Sequence, residues 1–324
     1  MSGTLKPIVG PMPQTPEWLA MRRYDPARTT RPVVIGASEA AAACGRSPYT
    51  SPLELYLTKR GEYEPERSEE TVEAMEMGTH LEPLILDRYA KRTGFHLARS
   101  LPMFFSSTEP FMAATPDAMV YCPTASLSRS VDAKATTGRR YDKTGEDVSA
   151  FGADGTDQIP VDYLLQGQQQ CHVLGVEVVD FPVLFDARTL RIYTVKRDSD
   201  LVSELIAAEK ELCERIVNGE PPEPTWSHHG IDKIIRAMYG VRNNRVISWG
   251  ADETALIEED ARLAVVESET KKRRETIKAK LWAALGDAEE AHTDTLRIGR
   301  LVVKPYSYTA TNPGYSKLQI KKLK

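Results

Sequence analysis

Ala114-Thr115-Pro116-Asp117 and Val131-Asp132-Ala133-Lys134 decide how this chain is read. Each lies in an apolar run with strand character, Phe111 to Tyr121 and Ser130 to Thr136. Cys122 to Arg129 between them has the Pro, Thr and Ser content of a loop. A hairpin of this kind brings Asp117 and Asp132 side by side at one end of a sheet. Two adjacent carboxylates repel unless a positive charge stands between them. A divalent metal suits the position, because hard Mg²⁺ prefers carboxylate oxygens and keeps water for chemistry. Lys134 follows Asp132 by two residues, so in a strand it points to the same face and sets an ammonium beside that water.

Pro-Asp, a gap, then Asp-x-Lys resembles the PD-(D/E)xK nuclease superfamily, a short pattern that needs support from the rest of the chain. The surrounding organisation is that of an α/β protein. Ser38 is expected to cap a helix over Glu39 to Cys44, and Pro52 to open one over Leu53 to Lys59 that closes at Gly61. Thr71 to Thr93 has helical spacing through Met77, Leu81, Leu84 or Ile85, and Tyr89, bent or restarted at Pro83 and stopped by Gly94. Strands are expected at Leu101–Phe105, Phe111–Tyr121 and Ser130–Thr136. Gly138 to Pro160 is polar and glycine-rich and reads as a mobile loop. A helix over Tyr163 to Leu174 precedes two β-rich runs, Val176–Asp186, interrupted by Pro182, and Leu190–Lys196. Asp198 or Ser199 then caps a helix with the stripe Leu201, Leu205, Ala208, Leu212 and Ile216.

The domain reading is a flexible tail over 1–16, a nuclease-like domain over 17–220, and a mainly helical extension with a short β region over 226–324. The stiff Pro221, Pro222 and Pro224 mark the boundary. Within the extension, Ile231 to Tyr239 is a short helix. Asp252 to Leu285 is a long charged one, with Leu256, Leu263 and Ile277 seven or fourteen residues apart.

Composition is that of an ordinary globular chain, 324 residues with 41% hydrophobic and 27% charged. No run approaches the ~18 apolar residues of a membrane span, and no secretory signal opens the chain. Cys44, Cys122, Cys171 and Cys213 lack CxxC spacing and read as buried thiols in a reducing compartment. The net charge of −4 does not exclude DNA, because a local basic groove binds phosphate whatever the total. Arg22, Arg23, Arg28 and Arg31 cluster near the start, Lys271 to Arg274 form a run, and Lys317, Lys321, Lys322 and Lys324 end the chain.

Further segments extend the short pattern. Trp18-Leu19-Ala20-Met21-Arg22, Ile35-Gly36-Ala37-Ser38 and Gly45-Arg46-Ser47-Pro48-Tyr49 come first. Met77-Gly78-Thr79-His80-Leu81-Glu82-Pro83 precedes the two Asp segments, and Tyr163-Leu164-Leu165-Gln166-Gly167-Gln168-Gln169-Gln170 follows them. In this order the chain resembles the YqaJ-like viral recombinase nucleases, the group that includes phage lambda exonuclease. The resemblance implies a PD-(D/E)xK core, a mixed central sheet flanked by helices. It implies a Mg²⁺ site, with Mn²⁺ able to substitute, formed by Glu82, Asp117, Asp132 and the Ala133 carbonyl. It makes Lys134 the catalytic lysine, Gln166 its supporting glutamine, and Arg22 and Ser38 the holders of a 5′-phosphate. Asp132 departs from the usual Glu, Ala118 from the usual Gly, and Arg23 to Val34 is extra. The implied activity is exonucleolytic digestion of duplex DNA ends, 5′ to 3′, leaving 3′ single strands. The implied setting is a phage or prophage protein in a bacterial cytoplasm, with a single-strand annealing recombinase as partner and a homotrimeric ring around DNA. An endonuclease on the same fold and a non-catalytic DNA-end or protein-binding module remain as alternatives.

Overall fold

The computed structural model describes residues 7–121, 129–136, 151–240, 246–288, 290–292 and 297–299. In chain order the elements begin with β1 (Ile8–Val9), α1 (Pro16–Met21), β2 (Ile35–Gly36), a 3-10 turn (Ala37–Glu39), α2 (Ala40–Ala43), α3 (Pro52–Arg60) and α4 (Glu69–Thr93). Then come β3 (His96–Arg99), β4 (Phe104–Phe105), β5 (Met112–Ala114), β6 (Ala118–Tyr121), β7 (Arg129–Val131), β8 (Lys134–Thr136) and α5 (Val161–Leu174). β9 (Val178–Phe185), β10 (Thr189–Lys196), α6 (Ser199–Asn218) and α7 (Ile231–Tyr239) follow. These lie in one compact unit, Met1–Arg242; a second, Asn243–Lys324, holds α8 (Ala251–Leu285) and the hairpin β11 (Glu290–His292) and β12 (Arg297–Gly299).

The first unit is a mixed α/β structure, as the PD-(D/E)xK resemblance implies. Its larger sheet runs β10-β9-β7-β6-β3, with β8 also beside β9; the smaller runs β1-β4-β5-β2. β9 pairs antiparallel with β10 but parallel with β7 and β8. α5 covers β9, and the core between them holds Leu165, Cys171, Val179, Phe181, Val183 and Tyr193, all buried. The approach is close at Gly167, where an added Cβ would stand 3.0 Å from Phe181 Cε2. A second core joins α3 and α6 through Leu53, Tyr56, Leu57, Leu212 and Ile216.

Both decisive strands are broken where the acids lie. The expected single strand Phe111–Tyr121 is β5 in the small sheet and β6 in the large one, with Thr115-Pro116-Asp117 crossing between them. Ser130–Thr136 is β7 and β8, separated by Asp132-Ala133, yet both keep one register on β9, Val131 opposite Asp180 and Lys134 opposite Val183. Pro182 of β9 was expected to interrupt its own strand, but β9 is continuous and the gap falls on its neighbour. Ile192, across from Pro182 in β10, donates its N–H outward to Asp154 Oδ1 at 2.8 Å. The missing Pro182 donor therefore lies on the side of β7 and β8, where a ladder bond is lost.

Other expectations are corrected. Ile8 and Val9 are not loose tail but pair with Phe105 and Phe104. α4 is one 25-residue helix that continues through Pro83, the unbroken form of the expected bent-or-restarted stretch. Its buried residues are Ile85, Leu86 and Tyr89, while Met77 is 58% exposed. Of Gly138–Pro160, residues 151–160 are held in place: Phe151 stacks edge-on to Phe185 with ring centroids 5.2 Å apart, and Ile159 is buried. Residues 138–150 lie outside the described residues. The expected boundary at the prolines falls later, because Ile234 of α7 is buried in the α3–α6 core. Cys171 and Cys213 are buried, Cys44 is half-buried, and Cys122 is outside the described residues, as are the terminal lysines.

Candidate active site

A cleft of about 620 Å³ collects Arg22, Ser38, Glu82, Asp117, Asp132, Lys134 and Gln166 among its lining residues. Each comes from a different local cause. Asp117 lies just before β6 and Asp132 just after β7, and the register Ala118↔Val131 sets the two acids across from each other. Asp132 is buried, and its N–H donates to Asp180 O at 3.0 Å. Ala133, at the gap, turns its N–H to Asp117 Oδ2 at 2.7 Å. Lys134 Nζ stands 2.5 Å from Asp132 Oδ2 and 5.0 Å from the Tyr163 ring centroid. Glu82 faces the group from α4, one residue before Pro83, and Gln166 from α5.

The electrostatics are those of crowded acids. Burial pushes the Asp117 carboxyl well above its ordinary range; Asp132 and Glu82 add to this, while Lys134 and the Ala133 N–H oppose it. Glu82 is raised by burial and then by Asp132, against Lys134. Burial works against the Lys134 ammonium, but Asp132, Tyr163 and Asp117 outweigh it and raise its pKa. Three carboxylates to one ammonium leave a negative excess in a low-dielectric pocket, and a hard divalent cation fits both that excess and the oxygen donors. Among the described residues no three His, Cys, Asp or Glu side chains converge as a finished chelate. Asp132 contacts Lys134, and Asp117 accepts from the Ala133 N–H.

Arg22 and Ser38 line the cleft with Trp18, Gly36 and Ala37. Ser38 does not cap a helix as expected. It sits inside the 3-10 turn, where Glu39 reaches back to the Gly36 N–H at 2.8 Å. Glu39 also binds Arg22 Nη2 at 2.9 Å and Lys59 Nζ at 2.7 Å. Lys59 is 2% exposed and donates further to Val34 O at 2.7 Å and Arg22 O at 2.9 Å. The Arg22 guanidinium lies 4.8 Å from the Trp18 ring centroid. The other arginines of the expected basic cluster are also engaged, Arg23 with Glu64, Arg28 with Asp25, and Arg31 over Phe105.

Three contributors were missed by sequence reasoning. Gln170 Nε2 donates to Asp132 Oδ1 at 3.3 Å, and its Oε1 accepts from Ser130 Oγ at 2.6 Å. The spacing i, i+4 from Gln166 put Gln170 on the same face of α5, which was the available signal. Glu39 and Lys59 carried no signal, because their pairing spans twenty residues and two elements.

The fold and cleft define a mixed α/β protein whose acids and lysine meet at a gap in the sheet. Residues 17–177, just under half of the chain, match the YqaJ-like viral recombinase domain. The chain is 25% identical over 276 residues to the uncharacterized protein YqaJ of Bacillus subtilis (strain 168), covering 84% of this chain and 79% of that protein. Among solved structures it is similar to an alkaline exonuclease from Laribacter hongkongensis, at a TM-score of 0.41 and 17% identity over 64% of this chain and 95% of that one. A phage-related exonuclease from Haemophilus somnus 129PT gives a TM-score of 0.39 and 13% identity, over 58% and 96% of the two chains.

Proposed function

We propose that this protein is a metal-dependent DNA exonuclease acting on duplex ends, 5′ to 3′, to leave 3′ single strands for an annealing recombinase. The observation that carries the reading is the meeting of Glu82, Asp117, Asp132, Lys134 and Gln166 in one cleft that also takes in Arg22 and Ser38. Glu82, Asp117, Asp132 and the Ala133 carbonyl would hold Mg²⁺, or Mn²⁺ in its place, which would supply positive charge against the phosphodiester and lower the pKa of a nearby water. Lys134 orients the attacking water and offsets charge on the phosphate as it develops. Gln166 keeps water and lysine in line. The metal site alone gives no direction along the strand, so polarity falls to a second contact. Arg22 grips a terminal 5′-phosphate, which carries more charge than an internal one, and Ser38 adds a hydroxyl.

Melting in chelator and in Mg²⁺ tests the metal site apart from activity. Mg²⁺ at about 100-fold over its Kd stabilises by ~2.7 kcal/mol, and Asp117→Asn should lose that gain. Equal melting shifts in wild type and variant would remove the site. Activity is then read on linear and closed-circular duplex. Digestion of the linear form alone supports the exonuclease, loss of both indicates an endonuclease, and loss of neither a binding module.

A further inference from the structure

Among the described residues, three cationic side chains line the cleft, and their partners differ. Lys134 is held by the buried Asp132, and Arg22 by Glu39, whose side chain is 16% exposed. The third is Arg99, the last residue of β3, which the chemistry of the acids and lysine does not use. Its place follows from the sheet. Arg99 lies across from Ala118, the residue after Asp117, and on the other side of Ala118 lies Val131, the residue before Asp132. Leu97 packs against the cluster of Leu86, Tyr89, Ala118 and Val131, and Arg99, two residues on, points to the same face. There its Nη2 meets Asp87 Oδ1 of α4 at 2.7 Å. Asp87 lies one helical turn beyond Pro83, which lines the cleft beside Glu82. Directly after Arg99 the chain turns at Ser100, in a left-handed φ of 54°, and Ser100, Leu101 and Met103 continue the wall.

Of the three ion pairs, that of Arg99 is the loosest. Asp87 is 68% exposed, and an ion pair in water contributes little, so a stronger anion can take its place. A phosphate is such an anion, because its oxygens make charge-assisted bonds to a guanidinium. Arg22, by contrast, is fixed by Glu39, which is itself paired with the buried Lys59. A fixed cation suits a terminal group that must be recognised, and an exchangeable one suits a strand that must move. Each cut releases the nucleotide whose phosphate Arg22 holds, and the new end must then travel to Arg22. A second hold keeps the strand in the cleft over that interval if it grips phosphate regardless of the end.

We propose that Arg99 binds an internal phosphate of the strand being cut, exchanging Asp87 for it. The proposal rests on the exonuclease reading of the cleft. Its test is equilibrium binding of the full-length protein to a short duplex with 5′-phosphate or 5′-hydroxyl ends, over a series of salt concentrations. Ca²⁺ replaces Mg²⁺ to hold off cleavage. Arg99→Gln should weaken binding by roughly tenfold on both ends alike and lower the slope of log K against log salt by about one. Arg99→Lys should keep the wild-type slope. Asp87→Asn should bind at least as tightly as wild type, although it breaks the same ion pair. Equal losses in Asp87→Asn and Arg99→Gln would make the pair structural and overturn the proposal. So would a loss confined to the 5′-phosphorylated end, or an Arg99→Gln protein with wild-type affinity and slope. Those results leave the nuclease reading standing, whereas a wild type that holds no duplex would remove both.

Discussion

Glu39→Gln tests whether the wall of the cleft that carries Arg22 is held by charge. Glu39 accepts from Lys59, Arg22 and the Gly36 N–H at 2.7, 2.9 and 2.8 Å. Glutamine keeps the shape, loses the charge, and leaves a 2%-exposed lysine facing a neutral amide. Burial opposes ionisation of Glu39, but Lys59 and Arg22 overcome it and hold the carboxyl at about 2, against an ordinary 4.5. At ~1.36 kcal/mol per pKa unit, that depression corresponds to about 3 kcal/mol. Lys59 is displaced the other way, lowered because desolvation exceeds the pull of Glu39. The Glu39 figure is therefore an upper bound on the pair, near the lower end of the ~3–5 kcal/mol lost when one partner of a buried pair is removed. For a unit of this size, about 3 kcal/mol lowers Tm by roughly 6–12 °C. The sign follows from the depressed carboxyl. The contribution is fully present above pH 4.5 and is lost as pH falls toward 2. Urea denaturation of wild type and variant between neutral and acid pH should therefore show a gap that is constant down to pH 4.5 and closes below it. Glu39→Gln with Lys59→Met should cost less than the sum of the single changes. A gap under about 1 kcal/mol at neutral pH, or one that does not narrow in acid, would refute the argument.

Glu209 on α6 is fully buried, and burial followed by the nearby Glu39 raises its carboxyl well above the ordinary range. A raised carboxyl costs stability as pH climbs above the ordinary value, so Glu209→Gln should gain over wild type in melts from mildly acid to alkaline pH; a constant difference would refute this. Gln170→Leu removes the grip on Asp132 and should slow cleavage by up to about tenfold, the equivalent of ~1.4 kcal/mol, with DNA affinity unchanged. An unaltered rate would leave Gln170 a packing residue.

Much of the fold was legible because its signals are local. Gly94 and Gly175 stop α4 and α5 at φ of 74° and 66°, a conformation that glycine reaches without strain. Asp198 caps α6 by accepting from the Asp200 and Leu201 N–H groups. These are properties of a few adjacent residues, so sequence carries them. The tail was misread because two residues of strand, Ile8 and Val9, owe their order to Phe104 and Phe105 almost a hundred positions away. α7 was assigned to the wrong unit for the same reason, since Ile234 is buried by α3 and α6 and not by its own neighbours.

The site divides along the same line, and the division is informative about how it is built. Asp117, Asp132 and Lys134 were legible because their spacing in a hairpin places them. What the spacing did not show is that both strands must break to do it. Pro116 marks one break in the sequence at the point where the chain leaves one sheet for another. The other belongs to Pro182, fifty residues from the acid it affects, and acts by withholding a donor from a neighbouring strand. The arginines show the converse. Four basic residues close together read as a phosphate groove, but the sequence hides Glu39 and Glu64, which take up Arg22 and Arg23. Since Arg23, Arg28 and Arg31 are committed to Glu64, Asp25 and the Phe105 ring, the cluster is largely scaffolding, and Arg22 is its member that lines the cleft. The cleft thus takes from this cluster one guanidinium, held by Glu39, which also pairs with the buried Lys59, and what was read as a basic surface becomes a single positioned charge.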